Sequence, residues 1–558
     1  MNTKKLTLNE AFVTGLKNHQ LNKFRDAENF YKHVLKKAPS HFGSVFYLGT
    51  LYLQTNKLGL AKRLLKKAVL IKPDFVEAYN NLGATLKGLG EYNEAAKYLQ
   101  KALQIKPEYV EAYSNLGAVL NILGEYQQAK KYLEKGIKIE PKFLSSYKNL
   151  ALTFQELGDI KQEINCFKKL TELEKKPAEA YQNLARLFVV LGDTPKAIEY
   201  YRKAIKLEPE NLTYYYHLND LDKKFLNLAF TKKINKILKN TDSTKKNLAY
   251  ANFLLADYES QKNNHEREFN YLLKGHQNFL ESNVYNFKKE INYWLKLLPE
   301  SKDLFNINNS KKIIKKVSHP IRPIFIVGVP RCGSTLVEKI ISSGENLIPM
   351  GEETGIITSF LKRKITNKES LNSEVENLQV KFVKKYKERN LINSNNNYTF
   401  TDKTLDNFFY IGLIKKVFPE AKIIHCRRSP ISSIISILKN NMPTLYWAHN
   451  LDNIFEYFDI YYRTIRRYNK ILPNYIYELE LEKLSNDPIL ESKKLMQHCN
   501  LPWSKKCLEF HKREDLISRT TSNLQVRKAV YKHSPIKDNP YQPFFNKYKK
   551  KYDWLNKI

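Results

Sequence analysis

Cysteine is scarce and unpatterned in this chain. Cys166, Cys332, Cys426, Cys499 and Cys507 form neither a disulfide framework nor the paired spacing of a zinc site. Acidic residues are also short. Fifty-seven Asp and Glu face 93 Lys and Arg, a formal net charge of +36. Such an excess ordinarily points to nucleic acid. Here the lysines are spread through the whole sequence rather than set in one stripe, so nucleic acid is disfavoured and a general attraction for anionic partners is favoured. Long apolar runs are missing too. No segment reaches the roughly 20 residues a membrane-spanning helix needs, and Met1-Asn-Thr-Lys-Lys-Leu6 leads into a helical pattern without the features of a signal peptide. A soluble cytoplasmic protein with no membrane partner is expected. At 558 residues there is room for two or three domains with real cores.

What the first half does have is a period. Pro39, Pro73, Pro107 and Pro141 are spaced by 34 residues, with Pro209 in the same register. Gly15, Gly49, Gly83 and Gly117 keep that spacing and are continued by Ala151 and Ala185, and Ala27, Ala61, Ala95, Ala129 and Ala197 follow it as well. Small residues at these places let the two helices of a hairpin approach closely. This is the signature of tetratricopeptide repeats. About six are expected over residues 8–211, the fourth degenerate at Glu163 and Leu170. Stacked hairpins make an all-α superhelix whose concave groove typically holds a polypeptide. Asn81, Asn115, Asn149 and Asn183 recur in one register and resemble the asparagine ladder in the repeat array of O-linked N-acetylglucosamine transferase, which grips the backbone of protein substrates. An amide can both donate to and accept from a peptide group. The alternative is that asparagine is simply common at this repeat position. Residues 212–317 are lysine-rich, with amphipathic helices expected at Leu248–Ala256 and Phe269–Leu280 and a linker at Asn306–Lys316.

The second half opens on Pro323-Ile-Phe-Ile-Val-Gly-Val-Pro-Arg-Cys-Gly-Ser-Thr-Leu336. An apolar run reads as a buried strand, the residues around Pro330 and Gly333 as a short loop, and Ser334 as a helix start. A strand feeding a glycine-containing turn and a helix N-terminus is a phosphate cradle. Gly328 and Gly333 have the glycine spacing of a Walker A loop, but Ser334 stands where that loop needs lysine. That argues against an ATPase and for a different phosphate-bearing donor.

Val-Pro-Arg331-Cys332-Gly333-Ser334-Thr335-Leu resembles the 5′-phosphosulfate loop of sulfotransferases that use 3′-phosphoadenosine-5′-phosphosulfate (PAPS). Cys332 and Ser334 replace the usual serine and threonine. The resemblance covers roughly Arg322 to the C-terminus, follows the bacterial type with an N-terminal repeat array, and shares motifs with tyrosylprotein sulfotransferases. It implies an α/β, P-loop-like parallel-sheet domain over 318–558, PAPS as sulfuryl donor, and no metal. In Ala421-Lys-Ile-Ile-His-Cys-Arg-Arg-Ser-Pro430, Arg428 and Ser436 have the spacing with which the family holds the 3′-phosphate. Arginine suits that task, since its planar fork donates two hydrogen bonds and never loses its charge. Ser429 replaces the aspartate usual in bacterial relatives. Met350-Gly-Glu-Glu-Thr354 resembles the segment whose second glutamate is the general base, which implies Glu353, with burial expected to raise its pKa. Glu352 is expected to be structural. Lys403, in Thr401-Asp-Lys-Thr404, falls at the second catalytic cation beside Arg331. Ser522 and Arg527 match a late donor-contacting segment. Leu481 replaces an adenine-contacting tyrosine, and Tyr477 has the wrong register to take its place. The polar run Lys362–Asn397 is placed to be a flap over the site.

The expectation is a PAPS-dependent sulfotransferase whose array recruits a protein or peptide acceptor, with tyrosine as one acceptor side chain. A carbohydrate or small-molecule hydroxyl is the alternative acceptor, and a repeat scaffold with weak turnover is the rival class. A homodimer is compatible with the sequence.

Overall fold

Small residues at a fixed spacing fix the helical hairpins of the first half. The computed structural model describes residues 6–240, 242–301, 321–366, 375–392, 398–513, 515–516, 518–520, 525–530 and 539–556. The chain divides into two compact units, 1–180 and 181–558. In the first, helices run in hairpins from Leu8–Gln20 with Phe24–Lys37 to Leu144–Leu157 with Ile160–Leu173. In the second, third and fourth hairpins the expected glycine faces a leucine, and in the first Gly15 faces Tyr31. A Cβ added at Gly83 or Gly117 would lie 2.5 Å from Leu99 or 2.4 Å from Leu133, so the two backbones could not keep their distance. Ala27, Ala61, Ala95 and Ala129 are fully buried in the same seam. Each hairpin turn carries a left-handed residue in one register: Asn22, Asn56, Gly90, Gly124 and Gly158. Between hairpins, Tyr113 and Tyr147 donate their hydroxyls to the carbonyls of Pro107 and Pro141, at 3.0 and 3.1 Å.

The second unit holds the helix Thr194–Leu207, the helices of 212–301 and the sheet domain. The two expected amphipathic helices are longer than their apolar cores suggested, Lys245–Gln261 and His265–Glu281. They pair with each other and share one hydrophobic core with the sheet. Phe269 stacks on Phe544 at 4.4 Å, Glu268 pairs with Lys439 at 2.7 Å, and His276 meets the Leu438 carbonyl at 2.9 Å. The segment is thus a shoulder of the sheet domain. The expected linker at 306–316 lies outside the described residues.

Four parallel strands, β1 (Arg322–Gly328), β2 (Thr399–Asp402), β3 (Lys422–Arg427) and β4 (Ile476–Glu480), lie in the order β2-β1-β3-β4. Ile324 to Val327 are all 1% exposed or less, because helices cover both faces of a parallel sheet. From β1 the chain crosses to one side to make β2 and to the other to make β3. The carboxyl ends of β1 and β3 therefore form a switch point, where open α/β sheets bind ligands. Not all of the polar run 362–397 is a cover. Ile356–Thr366 and Val375–Glu388 are helices that bury Leu361, Ile365, Leu378, Phe382 and Tyr386 in the core. Their charged residues are the outer faces of amphipathic helices, which corrects the flap expectation there; 367–374 and 393–397 lie outside the described residues. No helix among the described residues is long and apolar enough to cross a membrane.

Candidate active site

After β1 the chain turns through Val329 to Gly333 into the helix Ser334–Ser342, with Arg331 at φ 69° and Gly333 at φ 93°. Glycine is needed at 333 twice over: for the left-handed backbone, and because a Cβ would lie 2.6 Å from a methyl of Leu481. Leu481 thus packs over the loop. Arg331 has no such freedom, and a non-glycine residue in this region costs of order 1–3 kcal/mol. Two hydrogen bonds hold it. Its Nε donates to Ser436 Oγ at 2.9 Å, and its carbonyl accepts from Arg428 Nη1 at 3.3 Å. Ser436 comes from the helix Pro430–Lys439 that follows β3. The neighbouring Arg427 turns away to Glu478, at 2.6 Å. Among the described residues no side chain caps the Ser334 helix, and its positive dipole end lies beside two guanidinium groups, an arrangement able to attract an anion. The loop is built from the ends of β1 and β3, and its charges could cradle an anion.

The Gly351–Thr354 turn lies against β2. The N–H of Thr401 donates to the Pro349 carbonyl at 3.0 Å and that of Lys403 to the Glu352 carbonyl at 2.7 Å. The approach is so close that a Cβ on Gly351 would be 2.1 Å from the Thr401 carbonyl. Lys403 Nζ reaches Glu353 Oε1 at 3.2 Å; the lysine side chain is 1% exposed and the glutamate 58%. Burial alone would depress the Lys403 ammonium, but Glu353, Glu338 and Glu352 override it and hold its pKa above the usual lysine value. Asp402 anchors the strand end, with Oδ2 accepting from Thr354 Oγ1 at 2.6 Å and Tyr386 at 2.7 Å. Glu353 is therefore not the buried carboxyl expected from sequence. Glu352, at φ 52°, turns the chain so that the next side chain faces outward. Glu352 itself is held, accepting from the Arg519 N–H at 3.0 Å.

The remaining expected residues fall around this frame. Cys332 is 1% exposed, with its sulfur beneath Gly328 and close to Cys426, so it fills the loop from below. Ser334 and Thr335 are buried in the first helical turn, and Thr335 Oγ1 meets Thr520 Oγ1 at 3.3 Å. Ser522 lies outside the described residues. The Arg527 guanidinium donates to the Val190 carbonyl. Ser429 contributes its N–H to Glu482 Oε1 at 3.0 Å. In the repeat unit, three of the ladder amides donate along the array. Asn81 Nδ2 donates to Thr50 Oγ1 at 3.1 Å, Asn115 Nδ2 to Asn80 Oδ1 at 2.8 Å and Asn149 Nδ2 to Ser114 Oγ at 3.0 Å. They stitch neighbouring hairpins together, each spending part of its hydrogen-bonding capacity within the array.

Sequence reasoning missed three residues. Glu338 is fully buried under the turn, accepting from the Glu352 N–H at 2.9 Å and Thr401 Oγ1 at 2.8 Å. Lys339 is 3% exposed on the same helix, its ammonium depressed by burial and by nearby Arg527. Thr520 closes on the loop. A Glu-Lys pair inside the apolar run Leu336 to Ile341 was the available signal for the first two.

Residues 323–505 match the sulfotransferase family, and residues 46–75, 74–142, 144–177 and 178–211 match tetratricopeptide repeats. An uncharacterized protein of Aquifex aeolicus (strain VF5) is 27% identical over 319 residues, a match spanning 54% of this chain but only 41% of the relative. Among solved structures, the MamA protein is 31% identical, covering 31% of this chain and 94% of its own, with a TM-score of 0.28. Pseudomonas aeruginosa pilF is 22% identical, covering 38% of this chain and 97% of its own, with a TM-score of 0.34. With the sheet, the loop after β1 and the hairpins in place, the chain joins a tetratricopeptide-repeat region to a domain of the sulfotransferase family.

Proposed function

We propose that this protein transfers the sulfuryl group of PAPS to an acceptor hydroxyl on a protein or peptide recruited by its repeats, with tyrosine the leading acceptor side chain. One observation carries the reading: Arg331, Arg428 and Ser436 interlock at the loop after β1, at the same sheet end as the Lys403–Glu353 pair. The 3′-phosphate falls to Arg428 and Ser436. The 5′-phosphosulfate falls to the loop of Arg331, Cys332, Gly333, Ser334 and Thr335, and Ser522 and Arg527 of the late segment are further donor contacts.

In the reaction, the acceptor oxygen forms a bond to sulfur as the bond from sulfur to the bridging phosphate oxygen breaks. The hydroxyl proton passes to Glu353, and 3′,5′-adenosine bisphosphate leaves with the bond's electron pair. Negative charge grows on the leaving phosphate and on the sulfuryl oxygens, where Arg331, Lys403 and the helix amides supply fixed positive charge, each worth roughly 3 kcal/mol. The exposed Glu353 carboxylate is placed to meet an acceptor arriving from solvent. A peptide acceptor is favoured by the repeats, a module that typically holds polypeptide in its groove.

Calorimetry with 3′,5′-adenosine bisphosphate against ATP tests the donor. Selective binding by the wild type that is lost in Arg428→Ala is expected, and equal affinity for both nucleotides refutes it. With labelled PAPS, Glu353→Gln should bind nucleotide and fail to transfer.

A further inference from the structure

Three carboxyl groups, Glu338, Glu352 and Glu353, surround the buried ammonium of Lys403. That is an excess of negative charge next to a loop built for an anion. Two of the three have clear employment. Glu352 accepts from the Arg519 N–H, and Glu353 is exposed and paired with Lys403. Glu338 is different. It is completely buried, and its Oε1 accepts from the Glu352 N–H and from Thr401 Oγ1. Its Oε2 is buried with no hydrogen-bond partner among the described residues. Thr401 Oγ1 also accepts from the Gly351 N–H at 3.2 Å. One carboxyl oxygen thus fixes two successive amides of the turn that presents Glu353, including the left-handed Glu352. The other oxygen is left unsatisfied.

We propose that Glu338 is the positioning residue of this site, holding the Gly351–Glu353 turn through Oε1 and taking up a proton on Oε2 when the anionic donor nucleotide binds. The inference rests on the donor reading above. An ionised Oε2 has no donor among the described residues to stabilise it, so burial pushes the Glu338 pKa up to about 7, against the pull of the Lys403 ammonium. The charged and titratable groups facing it are Lys403 after β2, Cys426 on β3, Glu352 from the turn, and Lys339 on its own helix. A multiply charged phosphate arriving at Ser334 and Thr335, one helical turn away, adds negative potential and raises the Glu338 pKa further. A raised pKa on binding means proton uptake, and therefore tighter nucleotide binding as pH falls. Protonation leaves the Oε1 hydrogen bonds in place, so the turn keeps its shape while the site sheds one negative charge.

The test is calorimetry of the full chain with 3′,5′-adenosine bisphosphate, at pH 6 and 8.5, and at pH 7 in two buffers of different ionisation enthalpy. Wild type should take up about half a proton per nucleotide at pH 7 and bind roughly tenfold tighter at pH 6 than at pH 8.5, beyond the titration of the nucleotide itself. Glu338→Gln keeps the accepting oxygen and cannot ionise. It should bind nucleotide, show only the nucleotide's own pH dependence and lose the uptake. Uptake that persists unchanged in Glu338→Gln overturns the inference, as does a folded variant that no longer binds. Infrared difference spectra of the wild type need no variant: nucleotide addition should raise a buried carboxylic-acid C=O band, and its absence overturns the inference. Binding without proton uptake overturns this inference alone, whereas no binding by the wild type overturns the donor reading with it.

Discussion

Replacing Glu338 with glutamine should stabilise the sheet domain at alkaline pH relative to its effect at acid pH. In the folded chain the Glu338 carboxyl titrates at about 7, against an ordinary value of 4.5. Below the lower value the group is protonated in both folded and unfolded states and has no effect on pH dependence. Between the two values the folded state keeps a proton that the unfolded state has lost, so stability falls as pH rises. Above the higher value the penalty is complete and constant. A displacement of this size is worth roughly 3 kcal/mol in all, most of which develops between pH 5 and 8.5. Glutamine has no such term. Whatever its amide costs beside the empty Oε2 position enters equally at both pH values and cancels in the comparison. For a unit of roughly 380 residues the difference corresponds to about 3 °C in melting temperature. Thermal melts of wild type and Glu338→Gln at pH 5 and 8.5 give four temperatures. The gain of the variant over wild type should be larger by that amount at pH 8.5. An equal offset at the two pH values would show that Glu338 titrates normally and refute the reasoning.

Lys403→Met removes the one cation from a cluster of three carboxyl groups, Glu338 among them fully buried, so folding stability should fall by about 3–5 kcal/mol, and assays belong well below the melting temperature of the variant. Turnover of labelled PAPS should also fall roughly 10²–10³-fold; turnover within tenfold of wild type would remove Lys403 from the chemistry. Ser436→Ala removes the acceptor that holds Arg331 Nε, and should weaken 3′,5′-adenosine bisphosphate binding about tenfold by calorimetry. Gly117→Ala drives a methyl against Leu133, which should destabilise the repeat unit by about 1–3 kcal/mol, read as an earlier helical transition by circular dichroism.

The repeats were legible because their period is a property of backbone packing: a glycine opposite a leucine recurs from hairpin to hairpin, and sequence spacing alone displays it. The anion loop was legible for a similar reason, since β1, its turn and its helix are contiguous. Arg428 and Ser436 could be paired because both lie in one strand-helix unit. Other features depend on partners far along the chain. β2 is four residues, Thr399 to Asp402, polar in composition and buried only because β1 and the Gly351 turn flank it. The outward direction of Glu353 follows from the left-handed backbone of Glu352, which a glutamate does not adopt by preference. Glu338 stood out as a carboxylate in an apolar helix, but Thr401, which defines its role, lies 63 residues away. The helices after the active-site turn were hidden by their lysines, although Leu361, Ile365, Leu378, Phe382 and Tyr386 carry their inner faces.

If the domain binds the anionic donor as proposed, its three glutamates also explain how it tolerates so much acid at its centre. Their side chains differ in what surrounds them, and carboxyls whose environments differ can take different tasks. Glu352 is committed to a backbone amide of the late segment and is fixed in place. Glu338 is sealed from solvent and can shed its charge by holding a proton. Glu353 is the most exposed of the three, and Lys403 pairs with it without burying it. On the proposed reading, Glu353 is then the exposed negative charge that opposes the donor, and the one that an incoming hydroxyl would reach. A site with Glu353 buried would gain a stronger base but would close the acceptor side. On the proposed reading, the exposed Glu353 keeps that side open and leaves the electrostatic work to Lys403 and Arg331.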